Sequence, residues 1–221
     1  DLDQSAADLV VLSFSDSDLG AFAEGWHRGY IAQGDNFPTL RLANLAALKH
    51  PVSVDTYIEK TLSAAKGILI RLIGGIPYWS YGLQQVEKLA RENKIAFAVI
   101  PADGRDDPQL DAMSTLPVST LRRLQHLCEN GGMVAAQAAL AQLALAAGLY
   151  AAPVPGTKQL GAGGAWTPEL QNCCPLTARG PDYDKPLVIV SFYRSYITAA
   201  DLKPVAALFT ALREKDFSVM C

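Results

Sequence analysis

Gly67-Ile-Leu-Ile-Arg-Leu-Ile-Gly-Gly75, continuing as Ile76-Pro-Tyr-Trp-Ser-Tyr-Gly-Leu83, decides the reading of the fold. From Ile68 to Ile73 the run is apolar except for Arg71. A run that short, closed by two glycines, reads as a strand buried on both faces. Pro77 suits the first turn of a helix. Leu83, Val86, Leu89 and Ala90 then recur at helical spacing, with Gln84, Gln85, Glu87 and Lys88 between them. Strand, glycine turn and helix make half of a βαβ unit. Gly74 and Gly75 fall at the strand's carboxyl end, where open parallel sheets bind ligands.

The same pattern repeats outward. Leu9-Val-Val-Leu-Ser-Phe14 reads as a first buried strand, and Ser15-Asp-Ser-Asp18 offers caps for a helix through Leu19, Phe22, Ala23 and Trp26. Pro38-Thr-Leu-Arg-Leu-Ala43 reads as a second strand. A helix is expected from Ser53 or Val54, with Tyr57, Ile58, Leu62 and Ala65 on one face. Ile95-Ala-Phe-Ala-Val-Ile100 is another buried strand. Strands alternating with helices imply a flavodoxin- or Rossmann-like parallel α/β sheet with helices on both faces. Beyond Asp103 come helical segments near 110–113, 121–128 and 131–148, without a strand between them. The expected division is an α/β domain over 1–150, a Pro/Gly-rich connector over 151–185, and the start of a second α/β domain over 186–221. Leu187-Val-Ile-Val-Ser-Phe192 opens that second unit, an amphipathic helix over 201–214 follows, and Phe217 begins its next strand. Both ends of the chain read as cut.

Composition narrows the function classes. Of 221 residues, 50% are hydrophobic and 19% charged, and the formal net charge is −3. That balance gives no electrostatic case for nucleic acid or an anionic membrane. The alanine-rich run 131–150 carries Gln137 and Gln142 and reads as a packed helix rather than a membrane span. Cys128, Cys173, Cys174 and Cys221 have no C-x-x-C spacing, which favours a reducing, cytoplasmic setting. Two adjacent thiols, Cys173 and Cys174, reach one tetrahedral metal poorly. His27, His50 and His126 are far apart, so no resident metal is expected. No G-x-x-x-x-G-K-[ST] or G-x-S-x-G occurs, and Gly161-Ala-Gly-Gly-Ala-Trp166 lacks the last glycine of a dinucleotide fingerprint.

Arg71 is the most informative charge, because a guanidinium in a buried strand needs an anionic partner. It would hold a substrate carboxylate, or pair with an internal Asp. Tyr78, Trp79 and Tyr81 would stack on a flat conjugated ligand, or pack internally. Ser15 and Asp16, at the first strand's carboxyl end, would touch a ligand or serve as caps. Tyr193 and Arg194 are the second unit's counterpart. The sequence names no catalytic residue. The expected ligand cleft is Arg71, Gly74, Gly75, Tyr78 and Trp79, with the free N–H groups of the helix near Pro77 facing it.

These residues also carry a resemblance. Val10-Val-Leu-Ser13 with Asp16 and Asp18-Leu19, Leu40-Arg-Leu-Ala-Asn44, Lys49-His-Pro-Val-Ser-Val-Asp-Thr-Tyr57, Arg71-Leu-Ile-Gly-Gly75 with Tyr78, Ser114-Thr115 and Phe192-Tyr-Arg194 resemble, in the same order, the amino-terminal part of the CobN-type large subunit of cobaltochelatase. That family is similar to the large subunit of magnesium chelatase. The resemblance implies a corrin-type tetrapyrrole, hydrogenobyrinic acid a,c-diamide, as ligand and Co2+ as the metal inserted in aerobic cobalamin biosynthesis. It implies two partners, an AAA+ ATPase subunit that uses ATP and a second small chelatase subunit, and no cofactor held by this segment. In the family the counterpart of Gly131-Gly132 is usually followed by an Asn three residues on, where Ala135 stands here. The competing readings are a docking or scaffold domain of the chelatase complex, the magnesium chelatase large subunit itself, and a small-molecule-binding α/β sensor.

Overall fold

The computed structural model describes residues 2–157, 161, 163–169 and 184–221. Four parallel strands form the main sheet: β1 (Leu9–Ser13), β2 (Leu40–Asn44), β3 (Gly67–Leu72) and β4 (Ala96–Pro101), in the order β2-β1-β3-β4. The decisive stretch is therefore a central, parallel strand, and all six of its residues are buried. Crossing from β2 past β1 to β3 reverses the direction of winding. The switch point, where such sheets bind ligands, lies between β1 and β3.

Parity along the strands sorts the core into two layers. Val10, Leu12, Ile68, Ile70, Leu72, Phe97 and Val99 face α2 (Pro51–Tyr57, extended by a wider turn over Ile58–Leu62) and α3 (Ser80–Asn93). Leu9, Val11, Leu69, Ala98 and Ile100 face α1 (Asp16–Gln33) on the other side. That side continues, past α4 (Pro108–Met113), with α5 (Val118–Asn130) and α6 (Gly132–Ala146). Strand side chains alternate between faces, so each parity supplies one layer. Each fully buried Leu or Ile contributes about 1.5–3 kcal/mol relative to exposure.

The segment after α4 covers part of the β4 edge. The Phe97 N–H donates to Thr115 Oγ1 at 2.8 Å and the Val99 N–H to Ser114 Oγ at 3.0 Å. Thr115 N–H donates back to the Phe97 carbonyl at 2.9 Å. Ser114-Thr115 thus satisfies backbone groups that a further strand would otherwise take.

Beyond residue 186, β5 (Leu187–Ile189), α7 (Arg194–Thr198), α8 (Lys203–Glu214) and β6 (Ser218–Met220) follow, with β5 and β6 parallel in a second, two-stranded sheet. Several boundaries differ from expectation for local reasons. α2 opens at Pro51, two residues early, because the His50 ring accepts the Val52 N–H at 3.3 Å. α3 opens at Ser80 rather than at Pro77, because residues Ile76–Tyr78 form a separate 3-10 turn. β5 stops at Ile189 instead of 192. Cys173 and Cys174, and much of the expected connector, lie outside the described residues.

Candidate functional site

Three carboxyl ends converge at the switch point. β1 ends in Ser13, which lies level with Arg71 of β3, and β4 leads into 102–104. Ser15 caps α1 by accepting the Asp18 N–H at 3.2 Å. This fixes the Asp18 carboxylate over the strand ends. One of its oxygens accepts the Ser13 hydroxyl at 2.9 Å, and the other is paired with Arg71 Nη1. Arg71 is 6% exposed, and its Nε is buried with no acceptor among the described residues.

Around this pair opens a cleft of about 370 Å³. Its walls are Ser17 and Asp18 of α1, Arg71, residues 102–104, and Cys128 and Glu129 of α5. Gly131 and Gly132 at the start of α6, Arg194 and Thr198 of α7, and the apolar Ala21, Phe22, Leu127 and Ala136 also line it. The Asp103 carboxylate accepts from Arg105 Nη2 at 2.8 Å, and hydrogen bonds from Arg105 hold its pKa below the usual value. Glu129 accepts from Gln125 Nε2 at 3.1 Å. Burial pushes the Cys128 thiol up to about 11, against the opposing pull of the Arg71 charge. At neutral pH that thiol is protonated and not a nucleophile.

The expected site residues are divided among several places. Arg71 and Arg194 both border the cleft. Arg194 also donates through Nε to the Gly161 carbonyl at 3.1 Å. Gly74, Gly75, Tyr78 and Trp79 are not among its walls. Gly74 and Gly75 take positive φ angles of 83° and 77°, and the Tyr78 ring lies over Gly74. Tyr78 itself is 67% exposed. Trp79 is buried in the α2/α3 layer, where its indole N–H donates to the Leu48 carbonyl at 2.8 Å. Tyr81 donates its hydroxyl to Asp55 at 2.8 Å. Ser15 is a cap, the Asp16 carboxylate accepts from Asn44 Nδ2 at 2.7 Å, and Tyr193 is exposed. The physical reason is parity. Position 71 shares a face with Leu69, toward α1 and α6, whereas Trp79 leads into α3 on the opposite face.

Asp18, Cys128, Glu129 and the Gly131-Gly132 pair complete the cleft, and sequence reasoning did not place them there. The parity of Arg71 was the available signal, since it points the guanidinium at α1, whose first turn holds Asp16 and Asp18. Among the described residues, no group of three or more His, Cys, Asp or Glu side chains is arranged to hold a metal. No helix among them is long and apolar enough to cross a membrane.

The fold and cleft define a doubly wound α/β protein with a small pocket of mixed polar and apolar lining at its topological switch point. No family model matches the chain. It is, however, 33% identical over 222 residues to the aerobic cobaltochelatase subunit CobN of Sinorhizobium sp, covering 96% of this chain and 17% of that protein. It is 40% identical over 132 residues to the CobN of Pseudomonas aeruginosa, covering 60% of this chain and 10% of the relative. Among solved structures, the catalytic subunit of cobaltochelatase from Mycobacterium tuberculosis superposes with a TM-score of 0.70 at 19% identity, over 96% of this chain and 16% of that one. That likeness bears on the fold alone. The chain matches a fragment of CobN, and it spans about one-sixth of the length of the Sinorhizobium relative.

Proposed function

We propose that this chain is a segment, from the amino-terminal part, of the large tetrapyrrole-binding subunit of an ATP-dependent cobaltochelatase. The complex inserts Co2+ into hydrogenobyrinic acid a,c-diamide on the aerobic route to cobalamin. The observation that carries this reading is the match to CobN at 33% identity along 96% of the chain. ATP is hydrolysed by an AAA+ partner, and a second small subunit completes the complex. The absence of a Walker motif from this sequence suits that division. Metal insertion requires a pocket that holds and bends the macrocycle, a base that takes the pyrrole protons, and a route for the metal. This segment contributes one wall, in which Arg71 and Arg194 face the ligand's carboxylates.

A second reading has its own support. The cleft is small, near the low end of the roughly 300–1,000 Å³ usual for small-molecule pockets, and Arg71 is already paired with Asp18. Both suit a docking segment that positions other parts of the subunit. Titrating hydrogenobyrinic acid a,c-diamide into the full-length subunit and into residues 1–221 separates the readings. The chelatase reading expects tight binding by the full-length subunit and weak, Arg71-dependent binding by the segment. Binding by the full-length subunit alone supports docking, and no binding by either discards the chelatase reading.

A further inference from the structure

We propose that α7 is a movable lid over the cleft at the switch point, latched shut by charge and lifted together with the unit around β5, β6 and α8. The seam beneath it lacks what locks two units together. Ile197, the buried side chain of α7, packs with Trp166, Phe192, Leu202, Val205 and Ala206 in the core of its own unit. Among the described residues, none from 187 onward enters either apolar layer of the main sheet. Where two units share no sizeable apolar core, relative motion is the default. The parts that touch are small. Thr198 rests on Gly131, and a Cβ at Gly132 or Gly20 would lie 3.5 Å or 3.4 Å from the carbonyl oxygen of Ile197 or Ala199. Helices that lock interdigitate their side chains, and glycine under a backbone carbonyl gives nothing to interdigitate. The line of contact is also hollow on both sides. The cleft of about 370 Å³ lies on one side. A second hollow of about 330 Å³, lined by Asp16, Gly20, Glu24, Ala200, Asp201 and Lys203, lies on the other. Between two hollows α7 can tilt without driving side chains into close-packed neighbours.

Charge supplies the latch. Lys203 Nζ lies 3.3 Å from Glu24 of α1, and both side chains reach solvent. Arg194 enters a cleft whose other walls carry Asp18, Asp103 and Glu129. Asp201 and Asp16 face the second hollow with like charge and work against closure. Exposed ion pairs hold weakly and are screened by salt, so this latch keeps the lid shut without fixing it. Lifting takes Arg194 and Thr198 out of the cleft wall and uncovers the half-buried Cys128. Access to the switch point then follows the charges on the seam, and this holds whether or not the chelatase reading does.

The rate at which iodoacetamide alkylates Cys128 in the full-length protein, read by mass spectrometry of its peptide, tests the lid. Hydrogen exchange in β3 is followed in parallel to report unfolding. Lys203→Glu sets a like charge against Glu24 and should speed the labelling about threefold. Glu24→Lys combined with Lys203→Glu rebuilds the pair in reverse and should return the rate to that of the parent. Higher ionic strength should speed labelling of the parent, and because iodoacetamide is uncharged the salt acts on the latch rather than on the reagent. Exchange in β3 should stay the same throughout. Equal labelling of the parent and Lys203→Glu overturns the proposal, because the seam then does not control access. A double variant as fast as the single one overturns the charge latch. Labelling that rises in step with β3 exchange overturns the lid, because the reagent then enters by unfolding.

Discussion

Asp18 makes three attachments at once. Its carboxylate takes the Ser13 hydroxyl and the Arg71 guanidinium, and its backbone N–H is held by Ser15. The ion pair is poorly solvated, with side-chain exposures of 7% for Arg71 and 18% for Asp18. In such a place the Coulomb attraction largely repays desolvation, so the pair adds little net stability, but breaking it strands a charge. Asp18→Asn is therefore expected to destabilise the protein by about 3 kcal/mol, near the lower end for buried pairs because Arg71 borders a cleft. Asp18→Asn combined with Arg71→Met should recover most of that loss, since no charge is then left over. Urea unfolding of the single and double variants reads both numbers. A single variant as stable as the parent would mean that Arg71 is already satisfied by water. The requirement for an anionic partner was legible in the sequence from Arg71 alone. Whether the partner was a ligand or an internal carboxylate was not, because Asp18 lies 53 residues away and its approach depends on how α1 packs.

At the scale of elements, β3 and its neighbours were legible because buried parallel strands are short apolar runs bounded by turns. Helix starts were less so. The turn Ile76–Tyr78 and the His50 cap both depend on side-chain geometry that periodicity does not encode. The inward face of Trp79 was likewise hidden, since an aromatic after a glycine turn suits a ligand or a core equally well. Helix packing offers a sharper case. α1 and α6 approach closely at Gly25, where an added Cβ would lie 2.6 Å from the Gln137 backbone nitrogen and 2.9 Å from Ala136 Cβ. Two effects oppose each other in Gly25→Ala. Helix propensity favours alanine by about 1 kcal/mol. Overpacking against backbone that cannot rotate away costs about 1–3 kcal/mol. Overpacking should win, leaving a net loss of about 1 kcal/mol in urea unfolding. A gain in stability would show that the two helices slide apart freely, and the cleft at the start of α6 would then be loosely held.

For the whole molecule, the two sheets differ in how much core they bury. Between them, two apolar layers enclose the four-stranded sheet on both faces. Around the two-stranded sheet the buried cluster among the described residues centres on Trp166 and Ile197, with Phe192, Leu202, Val205 and Ala206 partly covered. Leu187 and Ile189 of β5 remain 45% and 68% exposed. Stability follows buried apolar area, so the second sheet should open at lower free energy than the first. The contact that ties the two regions together is narrow. α7 lays Thr198 against Gly131, the Gly132 position lies close to the Ile197 carbonyl, and Lys203 pairs with Glu24 at 3.3 Å. Ile197 is 4% exposed and sits at that seam. Replacing it by serine removes a buried apolar side chain and introduces a hydroxyl, at a cost of about 2–4 kcal/mol. Because that cost falls on the weaker region, Ile197→Ser should speed hydrogen exchange across 187–220 and at 131–134, while β1, β3 and β4 keep their protection. Uniform acceleration through the main sheet would instead mean that both sheets unfold as one cooperative unit. In that event the cleft, which takes Arg194 and Thr198 from one side and Arg71 from the other, would be as rigid as the core beneath it.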